Sequence, residues 1–119
     1  MTSFAAPIPV LRIFDVDKAK AFYVEYLGCS LDWEHEFAPG MPKYIQVSRG
    51  DLVLHLSEHH GDGSPGVVVY VPTAGVRELH AELAAKDYPF LQPGISDDEI
   101  GTRVEVIDPF GNRLRFNER

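Results

Sequence analysis

The spacing of apolar positions changes several times along the chain, and each change marks an element. Ile8 to Phe14 is a compact apolar run with β-branched residues and reads as a strand. Asp15 and Asp17 then offer helix N-caps ahead of Ala19, Phe22, Tyr23, Tyr26 and Leu27, which recur at helical spacing, and Gly28 stands where a C-capping glycine belongs. Three short runs follow, Leu31 to Phe37, Tyr44 to Ser48 and Leu52 to Ser57. They are separated by a Pro-Gly-containing loop at 39–42 and the tight Arg49-Gly50-Asp51 turn, which predicts strands in hairpin order. The glycine-rich segment at 61–66 can hold neither a helix nor a strand interior. After it the pattern restarts: Val67 to Val71 as a strand, Val76, Leu79, Leu83 and Ala84 as one helix face, then Tyr88 to Leu91, Thr102 to Ile107 and Arg113 to Phe116 as strands.

The order strand, helix, three strands is therefore given twice. A displacement of about 57 residues lays Ala19, Phe22, Tyr26 and Leu27 over Val76, Leu79, Leu83 and Ala84, so the two helices share an apolar stripe. Half a chain of this kind has too little interior to stand alone, so the two halves are expected to share a core. The expected organisation is a single domain over 1–119, with one module at about 6–60, the connection at 61–66, and a second module at about 67–119. A length of 119 residues, 45% hydrophobic and 24% charged, fits one ordinary globular domain and excludes a disordered or collagen-like chain.

Charge and cysteine usage narrow the partners. Eleven basic residues against 18 acidic ones give a formal net charge of −7, which repels phosphate backbones and anionic lipid and leans toward a cationic ligand. The lone Cys29 fits a reducing compartment, and the cytoplasm is the expected address. The stretch Met1 to Val10 lacks a basic region and is broken by Pro7 and Pro9, and no apolar run approaches membrane-spanning length, so neither secretion nor a membrane partner is expected.

Several residues together resemble the vicinal oxygen chelate superfamily of glyoxalase I, extradiol dioxygenases, fosfomycin-modifying enzymes and bleomycin-resistance proteins, and the bleomycin-resistance proteins most. They are Pro9-Val10-Leu11 leading to Asp15, then Ala19, Phe22-Tyr23, Leu27-Gly28, the Arg49-Gly50-Asp51-Leu52 turn, and Asp108-Pro109-Phe110-Gly111-Asn112 before the last strand. The resemblance implies an α+β fold of two βαβββ modules, whose curved mixed sheets form a groove with the helices outside, and commonly a homodimer. Strand alternation then gives Ile45, Val47, Leu54, Leu56, Leu114 and Phe116 to the core, and Tyr44, Gln46, Ser48, His55, Ser57 and Arg115 to the groove.

Enzymes of this superfamily hold a divalent metal on the first, fourth, fifth and eighth strands. The corresponding positions here are Ile8, His55, Val67 and Arg115, of which only His55 can donate to a metal. This departure argues against the metal-dependent chemistry, so no cofactor is expected. The alternative is a divalent metal at a non-standard site made by His55, His59 and His60.

Tyr44 occupies the place where bleomycin-resistance proteins carry an aromatic that stacks on the drug, with Trp33 and Phe37 on the preceding strand. The same rings also suit core or cross-strand packing. Asp98, within the acidic run Asp97-Asp98-Glu99 expected in a long loop before the seventh strand, could draw in a cationic ligand. Arg12, Arg103 and Arg115 either line the groove or pair with acids such as Glu105. Cys29 reads as a small buried side chain and His80 as a helix-surface residue, and Ser57 and Ser64 lie in no nucleophile elbow. The expected function is metal-free sequestration of a planar or glycopeptide-like antibiotic of the bleomycin type in dimer-interface grooves. The rival is a metal-dependent glyoxalase- or dioxygenase-type enzyme using His55.

Overall fold

A computed structural model describes residues 1–86 and 92–119. Strand β1 (Val10–Arg12) leads into helix α1 (Val16–Lys20), which continues as a π-helical stretch, Ala21–Tyr26. Asp15 is the N-cap: its backbone is extended and its carboxylate accepts from Lys18 N at 3.0 Å. Leu27 closes the helix and Gly28 takes the left-handed turn, φ 80°, that releases the chain toward the next strand. Strands β2 (Ser30–Glu36), β3 (Lys43–Arg49) and β4 (Leu52–Ser57) follow as hairpins. The second half repeats this with β5 (Val68–Pro72), α2 (Val76–Ala84), β6 (Ile95–Asp98), β7 (Gly101–Ile107) and β8 (Arg113–Glu118).

Each half builds a four-stranded mixed sheet. The first runs β1-β4-β3-β2 and the second β5-β8-β7-β6, with the first strand of each half parallel to its last and the other pairs antiparallel. One face of each sheet meets the helices. Leu11, Ile45, Val47, Leu54 and Leu56 from the first sheet and Val104, Val106, Leu114 and Phe116 from the second join Phe22, Tyr23, Leu27, Val76 and Leu83 in one buried cluster. Both halves thus contribute to the same core, and the opposite face of each sheet points away from it.

The repeat is real, but its displacement is 60 residues, not 57. The N-caps Asp15 and Gly75 correspond, as do the strand pairs Leu11 with Leu56 and Val71 with Phe116. The shorter offset slides one helix along the other by nearly a turn, which an apolar stripe of helical period cannot detect. In the corrected frame the counterpart of Ile8 is Val68, as unable to bind a metal as Val67.

Two elements depart from the sequence reading. β1 is shorter than Ile8 to Phe14, because Pro9 has no N–H to pair and contributes only its carbonyl, which accepts from His55 N at 3.0 Å. The expected strand Tyr88 to Leu91 lies outside the described residues. The strand seen before β7 is Ile95–Asp98, so Asp97 and Asp98 stand on a hairpin strand rather than in a loop. Asp98 accepts from Ile100 N at 2.9 Å and Asp97 from the Thr102 hydroxyl, which makes a tight turn. Gly101 at φ 138° completes it, where a Cβ would overlap the Glu118 carbonyl.

The halves lock together at two junctions. At one, the Asp108-Pro109-Phe110-Gly111-Asn112 turn reaches the first half: Tyr23 Oη donates to Asp108 at 2.6 Å, Asn112 Nδ2 donates to Arg12 O at 2.9 Å, and Phe110 packs on Phe14. At the other, Arg49 grips Glu82 with two hydrogen bonds and also donates to Leu27 O. Among the described residues, no helix is long and apolar enough to cross a membrane.

Candidate functional site

The outward face of the first sheet gathers Trp33, Tyr44, Gln46 and His55. Gln46 pairs across strands with His55 on one side and with Trp33 on the other. Strict alternation from Leu31 would turn Trp33 into the core. A bulge between Leu31 and Trp33 inserts Asp32 and brings Trp33 to the outward face. The Trp33 and Tyr44 rings lie 7° from parallel with centroids 5.9 Å apart, and His55 sits edge-on to both.

These rings are fixed by a directional chain of hydrogen bonds. Asp32 can only accept, so it takes the Gln46 amide N–H, at 3.1 Å. The Gln46 carbonyl is then turned to His55 Nε2, 2.9 Å away, which must carry the proton, and Nδ1 accepts from Tyr44 Oη at 2.7 Å. Burial pushes the His55 pKa down and the Tyr44 pKa up, in keeping with a neutral imidazole and a protonated phenol. Because the folded state disfavours the charged ring, the unfolded chain takes up the proton first on acidification. The stability from this chain is therefore full above pH 6.5, the ordinary histidine value, and lost as the pH falls below it. Trp33 fluorescence is expected to stay constant from pH 8 to about 6.5 and to change only at lower pH, a transition absent in His55→Gln.

The other candidates fall elsewhere. Phe37 lies one residue beyond β2 and packs edge-on against His59 and against His35, the cross-strand partner of Tyr44. Ser57, expected in the groove, is buried: its hydroxyl donates to Asp62 at 2.7 Å and accepts from His59 N, so the 58–66 loop covers it. Arg12 donates to Glu58 O at 2.7 Å and stacks over Phe14. His80 lies near Pro93 O, at 3.1 Å. Cys29 is buried and its thiol is pushed up to about 11, mainly by desolvation. Its reaction with a disulfide reagent at pH 8 is expected to be slow in the native protein and fast in denaturant.

Arg103, Arg115 and Asp98 lie on the second sheet, apart from Trp33 and Tyr44 within one chain. Tyr70, Arg115 and Glu105 stand in line across three strands. Arg115 donates to Glu105 at 2.6 Å, Arg113 lies 3.5 Å from the same carboxylate, and Arg103 donates to Asp98 at 2.8 Å. Hydrogen bonds from Ile100 N and Arg103 lower the Asp98 pKa. Arg103, Glu105 and Arg115, with Ile95, Ser96 and Ile100, border a cavity of about 590 Å3. Asp32, His35 and the bulge were not anticipated. From Leu31 to Phe37 the odd positions are apolar or aromatic and the even ones acidic, so the residue pattern carries no mark of the bulge.

The metal reading can be tested on these donors. Both His55 nitrogens are engaged, Arg115 is cationic, and Ile8 and Val68 offer no donor atom. His59 packs on Phe37 and His60 is exposed, and among the described residues no three His, Cys, Asp or Glu side chains converge as a metal group. The residues present do not fit the superfamily's metal.

Paired βαβββ units with an open, aromatic outer face place the chain in the glyoxalase-like class of folds. The glyoxalase superfamily protein model matches residues 1–119, and the chain belongs to that superfamily. No curated protein matches it in sequence. Among solved structures it is similar to the bleomycin-binding protein of bleomycin-producing Streptomyces verticillus in complex with copper(II)-bleomycin, at 27% identity and TM-score 0.73, with 100% of this chain and 99% of that one covered. TnmS3, an antibiotic-binding protein from Streptomyces sp. CB03234, shares the fold at 22% identity and TM-score 0.77, covering 99% and 98%. So does the bleomycin resistance determinant encoded on the transposon Tn5, at 21% identity and TM-score 0.69, covering 98% of each chain.

Proposed function

We propose that the chain is a metal-free binding protein of the bleomycin-resistance type, which lowers the free concentration of a flat or glycopeptide-like antibiotic by holding it without covalent chemistry. The observation that carries this reading is the Trp33–Tyr44 pair held by the His55–Gln46–Asp32 chain. A planar group slipped between two rings needs about 7 Å, twice a van der Waals contact. At 5.9 Å the pair is closed, so the ligand stacks on its outer side. The relatedness to the Streptomyces verticillus bleomycin-binding protein supports the same ligand class.

One face alone would leave such a ligand half in water. In this reading a second copy covers it with the outward face of its second sheet, where Val68, Tyr70 and Ile107 are exposed around Arg115 and Glu105. The functional unit is then a homodimer with two equivalent grooves, acting in the cytoplasm. Arg103 and Asp98, paired with each other, would form the polar rim, and Phe37 its outer edge. Titration calorimetry with bleomycin is expected to give saturable binding at one drug per groove. No heat and no thermal shift at high drug concentration would remove the antibiotic assignment. A stoichiometric divalent metal in protein purified without chelator, lost in His55→Ala, would instead favour the metal-dependent enzyme.

A further inference from the structure

The two junctions between the halves occupy corresponding places in the repeat, yet one is filled and the other is open. In the filled junction the Asp108–Asn112 turn packs its Phe110 against Phe14 and bonds to the Arg12 carbonyl. Sixty residues on from Arg12 and Phe14 stand Pro72 and Ala74, and the turn facing them is the short Arg49-Gly50-Asp51. With no aromatic at 49–51 or at 72–74 to fill it, a cavity of about 560 Å3 remains. That is within the size range of small-molecule sites.

The lining selects the chemistry. Leu27, Leu52, Val71, Leu79 and Phe116 give apolar walls. Three acidic residues, Asp51, Glu78 and Glu82, line the cavity against one basic residue, Arg49. Arg49 is bonded to Glu82 and to Leu27 O, and Lys86 approaches Glu82 as well, at 3.8 Å. Asp51 and Glu78 make no ion pair among the described residues. The start of α2 is closed to anions, because Glu118 already accepts from Gly75 N and Val76 N.

We propose that this cavity is a second binding site, sharing no residue with the aromatic face, for a small organic cation whose ammonium group meets Asp51 and Glu78 while a ring or short alkyl body lies on the apolar walls. The test uses the whole protein and two probes of like shape and opposite charge, 2-phenylethylamine and 3-phenylpropionate, followed by NMR titration. The amine is expected to bind at least tenfold more tightly than the acid, and the Asp51→Asn/Glu78→Gln pair to weaken the amine at least tenfold. Ala74→Phe, which restores the aromatic present at the other junction, is expected to abolish amine binding while leaving any bleomycin binding unchanged. Equal binding of the two probes, no amine binding to the wild type, or amine binding retained in Ala74→Phe would overturn the proposal. It would equally be overturned if Ala74→Phe changed the oligomeric state in sedimentation, since the cavity would then be a seat for a second copy.

Discussion

Replacing Asp108 with alanine is expected to destabilise the protein by about 2–5 kcal/mol, the cost of stripping a buried acceptor from several hydrogen-bond donors. The side chain is 4% exposed, and its two oxygens take four hydrogen bonds. Phe110 N and Asn112 N donate to one oxygen at 2.8 Å each, shaping the turn, and Tyr23 Oη and Asn112 Nδ2 donate to the other at 2.6 and 3.0 Å. Alanine removes the carboxylate that accepts from the Tyr23 hydroxyl and from the buried Asn112 N–H, and each lost buried bond costs about 1–3 kcal/mol. The Tyr23 bond also joins residues from opposite halves, so the loss loosens the junction as well as the turn. Urea denaturation should show a lower midpoint with an unchanged slope. Asp108→Asn keeps the oxygen that shapes the turn and should lose less. A change below about 1 kcal/mol for alanine would show that the turn holds itself without the carboxylate.

The second large effect is on ligand binding. Trp33→Ala and Tyr44→Ala are each expected to weaken bleomycin by about 2 kcal/mol, roughly 30-fold, the scale of an aromatic anchor at an interface centre. Both rings are partly exposed, so the thermal midpoint should move little. The rings touch, so the double variant is expected to lose less than the sum of the single ones. Tyr44→Phe keeps the ring and removes only the hydroxyl that donates to His55, and should cost under tenfold. Calorimetry on the four variants decides the matter: wild-type affinity in Trp33→Ala would take the stacking platform out of the site.

The sequence pattern carried much of the fold because the two halves obey the same simple physics. Apolar alternation named the core face of β3, β4 and β8 correctly, as Ile45, Val47, Leu54, Leu56, Leu114 and Phe116 are all buried. The turn glycines and Asp15 marked their boundaries by the backbone each must adopt. What failed were features that periodicity does not encode. A helical stripe is blind to a slip of nearly one turn, hence the offset of 57 in place of 60. A bulge resets alternation, so the outward placement of Trp33 and the role of Asp32 depended on a backbone irregularity with no distinct residue signature. Ser57 was assigned to the correct face but is hidden by a loop, because burial on an outward face is decided by segments distant along the chain. Arg103 and Arg115 pair with acids on neighbouring strands, a choice set by cross-strand register and not by the local residue pattern.

The parallel pairing of the first strand of each half with its last sets the order of assembly. Val10 meets His55 and Val68 meets Arg113, each across 45 residues. Closing a loop of that length costs about 3 kcal/mol of chain entropy before any ladder bond repays it. The hairpins β2–β3–β4 and β6–β7–β8 need only short turns and can form early, whereas β1 and β5 must wait for the sheet they join. During synthesis, Val10 to Arg12 therefore stays unpaired until the ribosome has released the chain past Ser57, and the edge of β4 is bare from then until β1 docks on it. The slow step of folding is expected to be the docking of these two strands, and it is then that the nascent chain is most open to mispairing with a neighbour.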